Sequence, residues 1–498
     1  MATTPSVAII GAGLGGLAAS IYLARAGVRV SVYERNDQPG GKAGVIREEG
    51  FRFDTGPSLL TMPFVVQDIF THAGKNIEDY ITLTKLDILC KYFYPDGTVL
   101  NAYSDINALA GEIERVSGDT APMVKRYLRY CRTIYNRTAD LFLFRDFRQL
   151  KNLLSLSALT TLIKLYQIDP FRTMHRANAW FFNDPKNIQL FDRYATYNGS
   201  NPYSVPATLN IIQHVEFNPG GYIVKEGIHE IPLALTTIAR ELGVEFHFNT
   251  GVKEILHAAK TVTGVRTNEK TMNYDCVLSN ADAGYTYTSL LKDTDSKDAR
   301  RYLKQEPSSS ALVFYWGIKG SAKKLGIHNI FFSRNYKTEF DSIFGKRTCP
   351  DDPTVYVCIS SRFREGDAPP GCENWFVMIN TPYNTGQNWE YETKRMRKII
   401  LEKLSSSLRK DIGEKIVFER VLTPVSIEQQ TGSLHGSLYG ISSNSRFAAF
   451  LRQPLASKDY RGLYFCGGSA HPGGGMPLVM LSGKLAAERV INKYNINA

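Results

Sequence analysis

The chain has 498 residues, a formal net charge of +11, 43% hydrophobic residues and 21% charged ones. This composition is that of an ordered globular protein with room for several domains, and it excludes a disordered chain. The seven cysteines are odd in number and form no CxxC pair, which argues against a disulfide framework or a zinc site and fits reduced thiols in a cytoplasmic protein.

The surplus of cations admits two readings: a merely basic cytoplasmic protein, or one that meets an anionic membrane surface. Nucleic acid is not expected, because no binding motif or dense basic run accompanies the charge. Only six residues precede the first apolar run, so no secretory signal is expected.

Val7-Ala8-Ile9-Ile10 predicts a buried strand feeding the turn Gly11-Ala12-Gly13-Leu14-Gly15-Gly16. Ala18 to Ala26 has helical composition, with Gly27 as its stop. Val28 to Tyr33 predicts a second strand, which ends at Glu34 and Arg35. Strand, glycine turn, helix, strand and acid in that order predict a dinucleotide site. Gly11 permits the tight turn, Gly13 lets the backbone approach a pyrophosphate, and Gly16 lets the helix pack on the strand. The helix start offers N–H groups and a positive dipole end to phosphates. Glu34 stands where an acid bonds a ribose 2′-OH, which disfavours NADP. Gly40-Gly41-Lys42 and Phe53-Asp54-Thr55-Gly56-Pro57-Ser58 follow.

Residues 141–182 carry Arg145, Arg148, Lys151, Lys164, Arg172 and Arg176 against only Asp146 and Asp169. The apolar part, Leu153 to Ile163, is shorter than the about 20 residues a spanning helix needs. A basic amphipathic segment can lie in a membrane interface instead, and a helical lid packed on the protein itself is the alternative. Farther on, Gly220-Gly221 to Gly227 precede a helical run through Leu242 and a predicted strand, Val244 to Val252. Asp275 to Ala281 reads as a further buried strand. Between 307 and 425, Ala311 to Trp316, Thr354 to Ser360 and Trp375 to Asn380 predict a second sheet. The last segment runs from Gly462 through Gly467-Gly468, His471-Pro472 and Gly473-Gly474-Gly475-Met476-Pro477 to a helix from about Val479. Glycines here clear space for backbone amides to meet a ligand, and Pro477 suits a first helical turn.

In order and spacing these pieces resemble the phytoene-desaturase-type carotenoid desaturases over essentially the whole chain. The carrying motifs are Gly11 to Gly16, Glu34-Arg35, Gly40-Gly41-Lys42, Phe53 to Pro57, Gly220-Gly221, Ser279-Asn280-Ala281-Asp282 and Gly467 to Pro477. The resemblance implies an α/β fold: a discontinuous Rossmann-type FAD-binding domain, an inserted β-sheet substrate domain and a helical membrane-associated lid. The implied boundaries are 1–75, 216–290 and 456–498 for FAD, 76–105 and 291–455 for substrate, and 106–215 for the lid. It implies non-covalent FAD, with Gly11, Gly13, Gly15 and Gly16 at the pyrophosphate, Glu34 at the adenosine ribose, and Ala12, Leu14 and Arg35 among the cofactor-binding residues. Lys42 would sit beside the phosphates or ribityl chain, Pro57, Ser58 and Leu59 would approach the flavin, and Gly41 and Gly56 would be further cofactor-binding residues. Val252 would meet the adenine through its backbone, Asn280, Ala281 and Gly467 would join the cofactor wall, and Gly468, Gly475 and Met476 would flank the ribityl chain and isoalloxazine.

The tail, with Ser469-Ala470-His471 and Ser482-Gly483-Lys484, looks closer to the 1-hydroxycarotenoid 3,4-desaturases than to phytoene or diapophytoene desaturases. A carotenoid substrate, a membrane-surface partner and a peripheral cytoplasmic location are therefore expected, with the electron acceptor, oxygen or quinone, left open. Asp146 and His471 are the candidate catalytic residues. Against them stand an ordinary ion-paired acid and a loop residue shaping the flavin pocket. Two rival readings are a flavin amine oxidase and a non-catalytic isoprenoid-binding chaperone.

Overall fold

The computed structural model describes residues 5–149 and 165–496. The chain opens with strand β1 (Ser6–Ile10), helix α1 (Leu14–Arg25) and strand β2 (Arg29–Tyr33). β1 is buried along its whole length, as its unbroken apolar run requires for a strand covered on both faces. Gly27 ends the helix at a positive φ of 79°, a conformation glycine adopts without steric cost.

β1 is central in a five-stranded parallel sheet. The strand order is Leu463–Phe465, Cys276–Ser279, β1, β2, Glu245–His247. Segments from both ends and the middle of the chain thus share one sheet. The strand predicted over Val244 to Val252 closes after His247. Asn249 turns at φ 54°, and the Asn249 and Thr250 amides donate to the carbonyls of Asn36 and Glu34. The last helix begins at Met476, three residues before the expected Val479, because a proline in the first turn forfeits no intrahelical bond.

A second, seven-stranded sheet contains two long strands, Ser310–Lys319 and Cys372–Thr381, paired antiparallel over their full length. The alternation of its side chains separates two environments. Leu312, Phe314, Trp316 and Trp375 pack against Met396, Ile400 and Leu404 of the helix Trp389–Leu408. Val313, Tyr315 and Phe376 face the opposite way, onto Phe51 and Phe53. At the sheet's far edge, Tyr92 and Ile330 pack against residues from the helices Ala121–Phe142, Met174–Phe181 and Pro185–Asp192. The apolar run Leu153 to Ile163, with Lys151 and Lys164, lies outside the described residues. Among the described residues no helix is long and apolar enough to cross a membrane.

Candidate functional site

The glycine turn after β1 meets two distant segments through one side chain. Asn280 donates from Nδ2 to the Gly11 carbonyl at 3.1 Å, and its backbone N–H donates to the Ile10 carbonyl. A Cβ on Gly15 would stand 2.7 Å from Asn280 Oδ1, and one on Gly467 2.8 Å from the same atom. A Cβ on Gly16 would lie 2.3 Å from the Gly11 carbonyl oxygen, so the helix start and the turn touch backbone to backbone. Gly483 of the last helix does the same against the Gly15 carbonyl at 2.1 Å.

Two helix starts adjoin this cradle. Gly13 precedes α1 and Gly475, at φ 101°, precedes the helix Met476–Lys493; neither start carries a side-chain cap. Their first-turn N–H groups and dipole ends are thus left to a ligand. A Cβ on Gly475 would meet nothing within 4 Å, so this residue faces open space. Close backbone contact at Gly15 and Gly16 and two uncapped starts together suit the pyrophosphate of a dinucleotide.

Glu34 is buried; its Oε2 accepts from the Ala12 N–H at 2.8 Å, while Oε1 takes the Asn36 amides. Arg35 is exposed beside Gly251. Gly40 donates to the Ala12 carbonyl, and Gly41 lies against Gly13. Lys42 turns its ammonium to the Leu438 and Ser437 carbonyls, at 2.7 and 3.2 Å. Burial pushes its pKa down to about 8, with nearby Asp282 opposing the shift. Asp282 directly follows the candidate residues Asn280 and Ala281, and burial pushes its carboxyl up.

Gly56 packs on the Lys42 carbonyl, where a Cβ would be 2.4 Å away. After Pro57, the Ser58 hydroxyl is 2.5 Å from the Tyr356 hydroxyl, and Leu59 fills the space that Gly221 leaves open. Val252 is buried in the cluster behind the parallel sheet. In the C-terminal loop, Gly468 offers its carbonyl to Arg452 and Met476 is buried.

The two candidate catalytic residues meet in one knot. The Asp146 carboxylate, 3% exposed, accepts from Arg489 Nε and Nη2 at 2.7 and 2.6 Å and from the Arg148 N–H at 3.1 Å. His471 donates from Nε2 to the Arg145 carbonyl at 2.9 Å and sets its ring edge-on to Phe147. Burial holds the His471 imidazole neutral, its pKa down to about 4. Arg148 donates from Nη2 to the Phe450 and Arg452 carbonyls, and burial lowers its pKa to about 10. Residues 145–148 thereby clamp the glycine loop at 467–475. Arg489 and Arg452 were not singled out from the sequence. No local motif marks them: Arg489 reaches Asp146, 343 positions away, and Arg452 binds Tyr439, Ser443 and Gly468 in loops that only the fold brings beside it.

A small cavity of about 40 Å³ adjoins Ser58, between Phe376 on the second sheet, Phe53 on the strand Phe51–Asp54 that packs against it, and Val224 and Ile228. It is mainly apolar, with Asp54, Arg364 and Asn374 among its polar lining.

Comparison with known proteins accords with this architecture. The chain is 43% identical to the 1-hydroxycarotenoid 3,4-desaturase of Flavobacterium sp. (strain P99-3), over 97% of this chain and 98% of that protein. It is 32% identical to the 4,4′-diaponeurosporene oxygenase of Staphylococcus haemolyticus (strain JCSC1435), over 97% and 96%. The cyclohexylamine oxidase structure from Brevibacterium oxydans IH-35A shares the fold, with a TM-score of 0.63 at 15% identity over 99% of this chain and 100% of that one. Residues 14–491 match the family of flavin containing amine oxidoreductases, and the chain belongs to that family.

Proposed function

We propose that this protein is an FAD-dependent carotenoid desaturase that introduces the 3,4 double bond of a 1-hydroxycarotenoid. The carrying observation is the 43% identity, spread over nearly both full lengths, to a 1-hydroxycarotenoid 3,4-desaturase. When bound, FAD supplies the two-electron acceptor for removal of hydrogen from an allylic carbon. The polypeptide orients the polyene and excludes water.

In this reading the Rossmann-type FAD-binding unit comprises 1–75, 216–290 and 456–498. The substrate unit comprises 76–105 and 291–455, and 106–215 forms a membrane-facing lid. Gly11 to Gly16, Gly467, Gly468 and Gly475 bring backbone to the cofactor. Glu34, tied to the Ala12 N–H, is poised at the ribose. Asn280 spaces the glycine loops rather than donating outward, which its bonds to Gly11 support. Asp146 and His471 act as positioning residues: the first is consumed by Arg489, the second by the Arg145 carbonyl.

Peripheral membrane contact is supported by exposed aromatic side chains beside cations. Phe171, Trp180, Phe447 and Phe450 are all more than half exposed. Arg126 and Arg172 lie over the Trp180 ring at 4.7 and 5.5 Å. Such pairing suits the boundary between headgroups and acyl chains.

The test is conversion of a 1-hydroxycarotenoid in liposomes by the purified flavoprotein with oxygen or a quinone as acceptor. A red-shifted product carrying one further conjugated double bond is expected. Full flavin content with unchanged substrate under both acceptors overturns the proposal.

A further inference from the structure

We infer that Arg364 is a specificity-determining residue, its Nη1 receiving the oxygen of a substrate's terminal hydroxyl at the polar end of the cavity beside Ser58. This inference rests on the carotenoid reading above and names what selects an oxygenated end group.

Arg364 is held as a fork. Its Nε and Nη2 donate to the two carboxylate oxygens of Asp367 at 2.7 and 2.6 Å, and Nη2 also lies 3.8 Å from Asp54. The remaining nitrogen, Nη1, is buried without a hydrogen-bond partner among the described residues. An unpartnered buried donor is costly to maintain, and this one belongs to a residue of the cavity wall.

The other polar groups of the wall are engaged. Asp54 accepts from Arg52 at 2.9 Å. Asn374 donates to the Arg52 carbonyl and to Ser360 and accepts from the Ser361 N–H. Ser360 donates to Asp367. Ser58 is joined to Tyr356.

The backbone opposite is cut to admit the guanidinium. Gly227 has φ 109°, and a Cβ there would stand 2.2 Å from Arg364 Nη1 and 2.1 Å from Arg52 Nη2. Glycine at this position therefore leaves room for both guanidinium tips.

The chemistry of the ligand follows from three properties. A guanidinium only donates, so the ligand atom is an acceptor. Arg52 and Arg364 stand against Asp54 and Asp367 in a neutral quartet, and Asp54 itself lines the cavity; an anion would meet that carboxylate, so the oxygen is neutral. The apolar walls at Phe53, Phe376 and Ile228 require the oxygen to sit on hydrocarbon. A tertiary carbinol at the end of a polyene meets all three conditions. Its hydroxyl-bearing carbon lies only two bonds from the nearer carbon of the proposed 3,4 bond. Such a short spacing suits a cavity that adjoins Ser58, in the segment proposed to approach the flavin.

The test measures binding of a 1-hydroxycarotenoid and of the unhydroxylated polyene of equal length, in detergent micelles, by tryptophan quenching of the flavin-loaded protein. The wild type is expected to prefer the hydroxylated ligand about tenfold, the scale of one buried hydrogen bond. In Arg364→Lys, which keeps a cation for Asp367 but loses the fork, the preference is expected to fall to about one. Flavin content and melting temperature report on the fold of the variant. A wild-type preference near one overturns the inference without recourse to any variant. So does a preference that survives in Arg364→Lys, or an equal loss of both ligands, which marks a structural role. Failure of the wild type to bind either polyene instead refutes the carotenoid reading, and the inference falls with it.

Discussion

Replacing Asp146 by Asn separates a catalytic acid from a structural one. The carboxylate is nearly sealed from water and accepts two bonds from Arg489 and one from the Arg148 N–H. Removing one partner of a buried ion pair costs about 3–5 kcal/mol. The Arg489 side chain is 29% exposed, so the orphaned cation keeps part of its hydration. The Asn carbonyl also still accepts from the Arg148 amide. These two allowances reduce the expected cost to ~2 kcal/mol. Asp146→Asn should therefore lower the melting temperature measurably while keeping most of the turnover at saturating substrate. Arg489→Gln, which leaves the sealed carboxylate without its cation, should cost more, about 3–5 kcal/mol, and the double variant should cost less than the sum, with a coupling of about 1–2 kcal/mol. Thermal melts of the four proteins, each with its kcat, constitute the assay. A variant that melts like the wild type yet loses kcat about 100-fold or more, the scale of lost acid–base catalysis, would refute the structural assignment.

Gly16→Ala should abolish flavin retention, because its methyl would sit 2.3 Å from the rigid Gly11 carbonyl; flavin absorbance per protein measures this, and wild-type content would contradict the cradle. Acid sensitivity should arise from buried histidines: burial holds His214, His328 and His471 down to about 4, against the usual 6.5. The unfolded chain binds these protons first as pH falls, so stability should drop between about pH 6.5 and pH 4. His471→Gln should reduce that drop, as read from melting temperature against pH; an unchanged slope would exclude His471 as a contributor. Trp180→Glu with Phe171→Glu should weaken sedimentation with anionic liposomes while leaving flavin content intact, and undiminished sedimentation would relocate the membrane-facing surface.

Some features were legible because they are local. The apolar run Val7 to Ile10 became β1, and Val28 to Tyr33 matches β2 within one residue. Ala311 to Trp316 and Trp375 to Asn380 lie inside two paired strands. Asn249 broke the strand predicted through Val252, because its amide and that of Thr250 pair with the chain at Asn36 and Glu34, contacts that no single window contains. The ion pair of Asp146 with Arg489 spans 343 positions. Arg52, Arg364 and Asp367 meet only because the strand Phe51–Asp54 lies against the second sheet.

The sequence alone determined where the backbone must turn sharply or approach closely, since the lack of a Cβ at Gly11, Gly13, Gly16 and Gly475 is a property of each residue. It also determined which runs bury one face, since side-chain period follows from local geometry. Only the tertiary structure decided how the polar groups are spent. It gave Asp146 to Arg489, His471 to the Arg145 carbonyl and Lys42 to Leu438, and it left one nitrogen of Arg364 without a partner in a cavity wall. The reason is physical: a buried polar group must find a partner wherever the fold places one, and that placement depends on segments far apart in the chain.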